Sequence, residues 1–259
     1  MKTALEQMFS LEGKVCVVLG GTSGIGQAIA RGYRSVGATV IASSRDAAKV
    51  NTMADEFEQS GGRTLRLTSD VQDRASMQAL CDATVGHFGH VDVLVVTSGA
   101  LQKQPSVDIS DAEWERVIDI NLNGSFRANQ IFGRHMIQRG QGSIINTCSM
   151  TTFVAFNEVT SYAASKAGVG MLTKQLACEW AKHHVRVNAI APGVFRTPLN
   201  AHVIDLPERS AAIIGRTPAG RVGRVEELVG AAVYLASDSS VFCTGQIIAV
   251  DGGFLAKGI

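Results

Sequence analysis

Tyr162 and Lys166 stand four residues apart, and the run that follows them, Ala167 to Lys182, has helical composition. A spacing of four is close to one helical turn, so both side chains would share a face and meet. An ammonium group beside a phenol favours the phenolate and lowers a tyrosine pKa from its ordinary value of ~10. That makes Tyr162 a candidate general acid/base near neutral pH. Ser149 lies thirteen residues earlier, at the end of the run Ser143 to Cys148. A strand end and a helix start can converge on one point, where a serine hydroxyl would hold a substrate oxygen. Alone, Tyr-x-x-x-Lys is more often an ordinary surface pair, because short motifs recur by chance. Its weight comes from the rest of the chain.

The elements that would position these residues alternate along the whole length. Lys14 to Leu19 is a short, almost wholly apolar run, as a parallel strand buried on both faces requires. It leads into Gly20-Gly21-Thr22-Ser23-Gly24-Ile25-Gly26 and a helical stretch to about Val36. A glycine turn between strand and helix leaves backbone N–H groups facing a phosphate. The spacing is G-x-x-x-G-x-G, not the commoner G-x-G-x-x-G. Ala38 to Ser43 reads as a second strand, followed by Ser44 and Arg45 where an acidic residue would grip a ribose. Asp46 caps the next helix. An arginine there can pair with a 2′-phosphate, which favours NADP(H) over NAD(H). The alternative is a solvent-facing Arg45.

Further strands are expected over Arg63 to Ser69, ending at Asp70-Val71, and over Val91 to Val96, ending at Gly99. Gly142 to Cys148, Val185 to Ile190 (leading to Pro192-Gly193) and Gln246 to Val250 complete a parallel, doubly wound α/β sheet of about seven strands. A helix from Asp111 to about Gln138 carries Asn121. It is apolar nearly all round, so it should be buried on two sides, by the sheet and by either a partner subunit or a larger core. Residues 194–225 break the pattern with three prolines and read as a substrate lid. Ligands on such sheets bind at the carboxyl ends of the strands. The glycine turn, Ser44-Arg45, Asp70, Gly99, Ser149 and Pro192-Gly193 all fall at such ends.

The balance of the chain excludes several classes of function. At 259 residues, one α/β domain is expected over 1–259. A net charge of +1 draws neither nucleic acid nor an anionic membrane, and Arg216, Arg221 and Arg224 read as a solvated loop. Five scattered cysteines without C-x-x-C argue for reduced thiols in the cytoplasm and against a disulfide frame or a metal site. Met1 to Ser10 has no apolar h-region, and no run is long enough to span a bilayer.

With these residues placed, the chain resembles the short-chain dehydrogenase/reductase family from Leu11 to Gly253. The likeness rests on Gly20-x-x-x-Gly24-x-Gly26, Asp70, Gly99, Asn121, Ser149, Tyr162-x-x-x-Lys166, Pro192-Gly193 and Thr197, motifs in fixed order. It departs from the family pattern at Leu19-Gly20 and at Val96-Thr97-Ser98-Gly99. The resemblance implies a hydride transfer between a nicotinamide and a secondary alcohol or ketone, with Tyr162 as proton donor and acceptor. Ser149 would hydrogen-bond the substrate oxygen, and Lys166 would bind the nicotinamide ribose and lower the tyrosine pKa. Asn121 would anchor a water that links Lys166 to solvent. Asp70 would contact adenine and Thr197 the carboxamide. The cofactor set would also include Thr22, Ser23, Ile25, Val71 and Pro192-Gly193, and the assembly a homodimer or homotetramer. Stretches such as Met8 to Lys14 and Arg216 to Arg221 are similar to the family's sugar-acid dehydrogenases, and Lys103 could meet a substrate carboxylate. The bland alternative is a surface lysine. Rival readings are a ketoacyl-thioester reductase and a dinucleotide sensor without turnover.

Overall fold

The computed structural model describes residues 3–258. Met1, Lys2 and Ile259, which belong to the ranges read for a leader and for the single domain, lie outside the described residues. A short capped helix, α1 (Ala4–Met8), precedes the sheet. Among the described residues six parallel strands form it, in the order β2-β1-β3-β4-β5-β6. They are β1 (Val15–Leu19), β2 (Thr39–Ser43), β3 (Val93–Val96), β4 (Gly142–Thr147), β5 (Val185–Pro192) and β6 (Ile247–Val250). Apolar residues run without a break along β1 and β3 because both faces are covered. Side chains alternate sides: Cys16, Val18, Val93 and Val95 join one core with Ile29, Tyr33 and Leu235, while Val17, Leu19, Leu94 and Val96 join another with Leu80, Phe132 and Leu176. The first core is covered by α2 (Gly24–Ser35), α3 (Ala47–Gln59) and α10 (Val229–Ala236). The second is covered by α4 (Arg74–Phe88), α6 (Gly124–Arg139) and α7 (Thr160–Trp180).

Two expectations are corrected. Arg63 to Ser69 is not a seventh strand. It runs beside β2, but hydroxyls rather than backbone amides satisfy the facing carbonyls. Thr64 Oγ1 donates to Val40 O at 2.7 Å and Ser43 Oγ to Leu67 O at 2.6 Å. Only Ser69 N reaches the neighbouring backbone, donating to Ser44 O at 3.0 Å. The helix expected from Asp111 is broken: α5 (Asp111–Ile118) passes through a π-turn, Asp119–Asn123, before α6 begins. Trp114 is 39% and Phe126 41% exposed, so the chain's own core does not cover the second side of that stretch. Residues 194–225 break the alternation as expected of the prolines there, and carry two short helices, α8 (Ala201–Ile204) and α9 (Pro207–Arg216). Asp46 does cap α3, its Oδ1 accepting from Lys49 N.

The chain leaves β1 toward β2 on one side and returns to β3 on the other. This reversal opens a crevice beyond the carboxyl ends of β1 and β3.

Candidate active site

A cavity of about 660 Å3 fills that crevice. The turn after β1 forms its floor. Gly20 (φ +75°) and Gly24 (φ +51°) occupy the left-handed region. At Gly20 a β-carbon would come within 2.8 Å of Thr97 Oγ1. Ser23 precedes α2 without capping it through its side chain, so the first-turn amides of that twelve-residue helix face the cavity uncapped. Those amides and the bare glycine backbone form a cradle that fits a pyrophosphate.

The other sequence-derived residues divide clearly. Ser23, Gly24, Ile25, Gly26, Ser44, Arg45, Asp70, Val71, Gly99 and Thr197 line the cavity. Thr22 and Pro192 do not: Thr22 is buried beneath the turn and donates from Oγ1 to Ser44 Oγ at 2.8 Å, and Pro192 closes β5 against β6. Gly193 lines the adjoining pocket, with its N–H bonded to Val250 O. Thr197 is held by Asn200, whose Oδ1 accepts from both its N–H and its hydroxyl.

Beside the cleft, and sharing Leu101 and Leu199 with it, lies a smaller pocket of about 140 Å3. Ser149 and Tyr162 form part of its wall. Ser149 follows β4 and caps the short 3₁₀ turn Met150–Thr152, with its Oγ accepting from Thr151 N. The turn is tied to α7 because Thr152 Oγ1 donates to Lys166 O at 3.1 Å. Ser149 and Tyr162 face the same pocket, and the serine hydroxyl favours the ionised phenol. Lys166 lies one turn along the same face of α7, with Nζ 5.8 Å from the centre of the Tyr162 ring. The spacing in the sequence therefore does place the two together.

Their electrostatics differ from the expectation. Burial pushes the Tyr162 phenol up, and the group that pulls it back is Ser149 rather than Lys166. Lys166 is 5% exposed, and burial brings its ammonium down to about 8. Its proton goes to a backbone carbonyl, Nζ donating to Thr147 O at 2.7 Å. Beneath it Asn121 is fully buried in the π-turn. Its Oδ1 accepts from Ala100 N at 2.7 Å, and its Nδ2 donates to Ala100 O and Ser165 Oγ. The amide thus clamps the loop after β3 over α7. Gly99, in that loop, faces both Asn121 and Lys166, which lie 3.4 and 3.9 Å from where its β-carbon would stand.

Residues 20–255 match the family described as Enoyl-(Acyl carrier protein) reductase. The chain is 39% identical to 2-dehydro-3-deoxy-D-gluconate 5-dehydrogenase of Escherichia coli, over 96% of this chain and 98% of that one. It is 41% identical to 3beta-hydroxysteroid dehydrogenase 1 of Eggerthella lenta, over 94% of each. Among solved structures, gluconate 5-dehydrogenase from Burkholderia cenocepacia, in complex with NADP and tartrate, superposes with a TM-score of 0.95 at 37% identity, covering 98% of this chain and all of that one. The chain belongs to the short-chain dehydrogenase/reductase family. It is an oxidoreductase of the alcohol dehydrogenase type.

The two stretches that depart from the family pattern meet at one contact. Thr97 donates from its hydroxyl and from its N–H to Leu19 O, at 2.7 and 2.9 Å, and so braces β1 against β3 beneath the glycine turn. Sequence reasoning missed Thr147, whose carbonyl holds Lys166; Asn200, which holds Thr197; and Arg209, in the pocket wall. No motif marks a backbone carbonyl, and the other two lie in the irregular segment.

Tyr162→Phe is expected to reduce turnover by about a thousandfold, the scale of a lost general acid/base, and to leave dinucleotide binding intact. Steady-state rates beside a nucleotide fluorescence titration check this, and turnover within tenfold of wild type would sink the role.

The buried ammonium also predicts a pH signature. Lys166 titrates near 10.5 when unfolded and near 8 when folded. Between those values the unfolded chain holds a proton that the folded chain lacks, so the contribution of Lys166 to stability rises with pH. Cys16 and Cys81, whose burial raises their thiols, act oppositely from about pH 9 upward. Comparing wild type with Lys166→Met cancels the thiols. The difference in unfolding free energy should shift toward wild type by about 3 kcal/mol from pH 7 to 10.5. Urea denaturation at several pH values measures it; a difference that stays flat contradicts a desolvated Lys166.

Proposed function

We propose that this chain is an NADP(H)-dependent dehydrogenase of sugar acids, oxidising a secondary alcohol or reducing the corresponding ketone. The observation that carries the reading is the placement of Ser149 and Tyr162 in one pocket wall, with Lys166 a turn away, beside a dinucleotide-sized cleft. In this reading Tyr162 moves the proton of the reacting hydroxyl, and Ser149 holds the same oxygen by hydrogen bonding. Lys166 holds the ribose next to the ring. Asn121 fixes the loop beneath it. Both Asn121 donor hydrogens are engaged, so a water linking Lys166 to solvent would be held through an acceptor atom. When bound, the nicotinamide supplies or receives the hydride. Asp70 meets the adenine, and Thr197, fixed by Asn200, meets the carboxamide.

NADP(H) is supported by Ser44 and Arg45 at the cleft edge. Arg45 is exposed and makes no hydrogen bond or ion pair with any other described residue, so its guanidinium is free for a 2′-phosphate. The Burkholderia relative was crystallised with NADP. The sugar-acid substrate is supported by the gluconate relatives and by the cations in the pocket wall. The steroid relative shows how far the scaffold stretches. A thioester reductase would want basic surface for an acidic carrier, but Arg221 and Arg224 are both paired with Glu227. A sensor without turnover would not need Ser149, Tyr162 and Lys166 gathered at one pocket.

We further propose one domain with residues 194–225 as its lid, in a reducing compartment that suits five free thiols. Among the described residues no helix is long and apolar enough to cross a membrane. The assembly we propose is a homo-oligomer, a dimer or tetramer. Trp114, Phe126 and Met171, on the helices α5 to α7, and separately Phe242 before β6, are large apolar side chains facing outward.

Two outcomes test these readings. A screen of sugar acids, polyols and ketones with both cofactors should give its highest kcat/KM for a sugar acid with NADP(H), and Ser44→Asp should lower the NADPH-to-NADH preference at least tenfold by repelling the 2′-phosphate. An unchanged ratio refutes the role of Arg45. Light scattering should give a dimer or tetramer that Phe126→Asp with Met171→Glu dissociates, whereas a monomeric wild type overturns the assembly.

A further inference from the structure

The substrate pocket is walled largely by apolar side chains, among them Met150, Phe156, Leu199 and Ile213, yet two cations reach it. They are not equivalent. Lys103 Nζ lies 2.6 Å from Glu158 Oε2, so its charge is already answered. Arg209, carried by α9 in the segment over the pocket, makes no hydrogen bond or ion pair with any described residue, and its Nε is buried without a partner. A buried donor left unpaired is unfavourable, and proteins keep such groups where a ligand completes them.

Glu158 registers both cations. Its carboxyl is held below the usual range first by Lys103 and, more weakly, by Arg209. Arg209 therefore acts on a carboxylate in this corner while bonded to none. Glu158 also sits at φ +66°, in the left-handed region, between Ser149 and Tyr162 in the chain. A non-glycine residue stays there when its surroundings demand it. Two cations and one anion leave a single positive charge at the pocket that holds Ser149 and Tyr162. One monoanionic ligand would balance it.

We propose that Arg209 is the specificity-determining residue of this site: its guanidinium receives the carboxylate of an acidic substrate, while Glu158 keeps Lys103 engaged in the wall. The proposal rests on the sugar-acid reading and names the group behind it. It replaces the expectation that Lys103 meets the carboxylate. A guanidinium suits the task because its paired N–H groups match two carboxylate oxygens. Arg209 also belongs to the lid, so an acidic substrate would fasten α9 over the pocket, and a neutral polyol would not.

The test uses the full-length enzyme with NADP+ bound and compares wild type, Arg209→Met, Arg209→Lys and Lys103→Met. Binding of D-gluconate, of tartrate and of the uncharged D-sorbitol is measured by calorimetry, and turnover of D-gluconate and D-sorbitol by NADPH formation. NADPH fluorescence establishes that each variant is folded. Arg209→Met should weaken both carboxylates by about 10- to 100-fold, the scale of a lost charge-assisted bond, and move D-sorbitol less than threefold. Arg209→Lys should recover part of the loss, and Lys103→Met should lose less than Arg209→Met. The proposal is overturned if Arg209→Met binds carboxylates like wild type, if acid and polyol weaken alike in a variant that still binds NADPH, or if wild type binds no carboxylate. Failure of the broader reading looks different: wild type would bind carboxylates through Arg209 yet oxidise no sugar acid. Conversely, sugar-acid turnover with an unchanged KM in Arg209→Met would keep that reading and remove Arg209.

Discussion

A buried ammonium sets the terms of this site. Lys166 is almost wholly removed from water, and no carboxylate within the described residues pairs with it. Desolvating a charge this way is expensive unless hydrogen bonds replace water. One bond to the ammonium supplies part of the replacement, and neighbouring contacts hold the lysine where it can be made. β4 offers the carbonyl of Thr147, the turn after Ser149 anchors the backbone of Lys166 through Thr152, and the π-turn brings the Asn121 amide beneath it. The same contacts fix Ser149 relative to Tyr162. The catalytic geometry and the accommodation of one buried charge are thus a single arrangement, and loosening either would loosen both.

A second set of buried amides carries this order into the core. Asn129 on α6 donates to Asn146 on β4 at 2.8 Å, and Asn146 donates back and to Thr173 on α7. Sheet and helices there are joined by directional bonds where apolar contact alone would tolerate sliding. Such a network specifies one register only when every member is satisfied, and here each amide has partners. Since α7 carries both Tyr162 and Lys166, a fixed register of α7 on β4 translates into a fixed position for the phenol.

Much of this was legible in the residues because local and global demands agree. The apolar run at β1, the glycines after it and the helix that follows are all required by one parallel crossover, and each leaves its own mark. The four-residue spacing of Tyr162 and Lys166 was enough to bring them together. What the sequence hid were features set by tertiary partners. Arg63 to Ser69 has a strand-like pattern, but hydroxyls of Ser43 and Thr64 took the carbonyls that a ladder would use. The π-turn Asp119–Asn123 leaves no periodic signal, because the residues on either side of it are helical alike. The phenol's partner was misassigned because spacing reports proximity along a helix and not which group the ammonium prefers. Likewise Lys103 and Arg209 are both cations in sequence, and only the position of Glu158 separates them.

The contrast in packing between the sheet and residues 194–225 is what the proposed division of labour rests on. β1 and β3 are buried throughout, whereas α9 contains no buried residue, and the segment is clipped by the Arg196–Asp205 pair, which is largely exposed. An exposed ion pair contributes little to stability. Elements with few buried contacts occupy the low-stability end of a structure and respond to weak forces. A ligand that paired with a side chain on α9 would therefore shift that segment more readily than the sheet. In the proposed reading, chemistry would be held on rigid strand ends and on α7, while recognition would rest on a segment whose position a single added ion pair can bias.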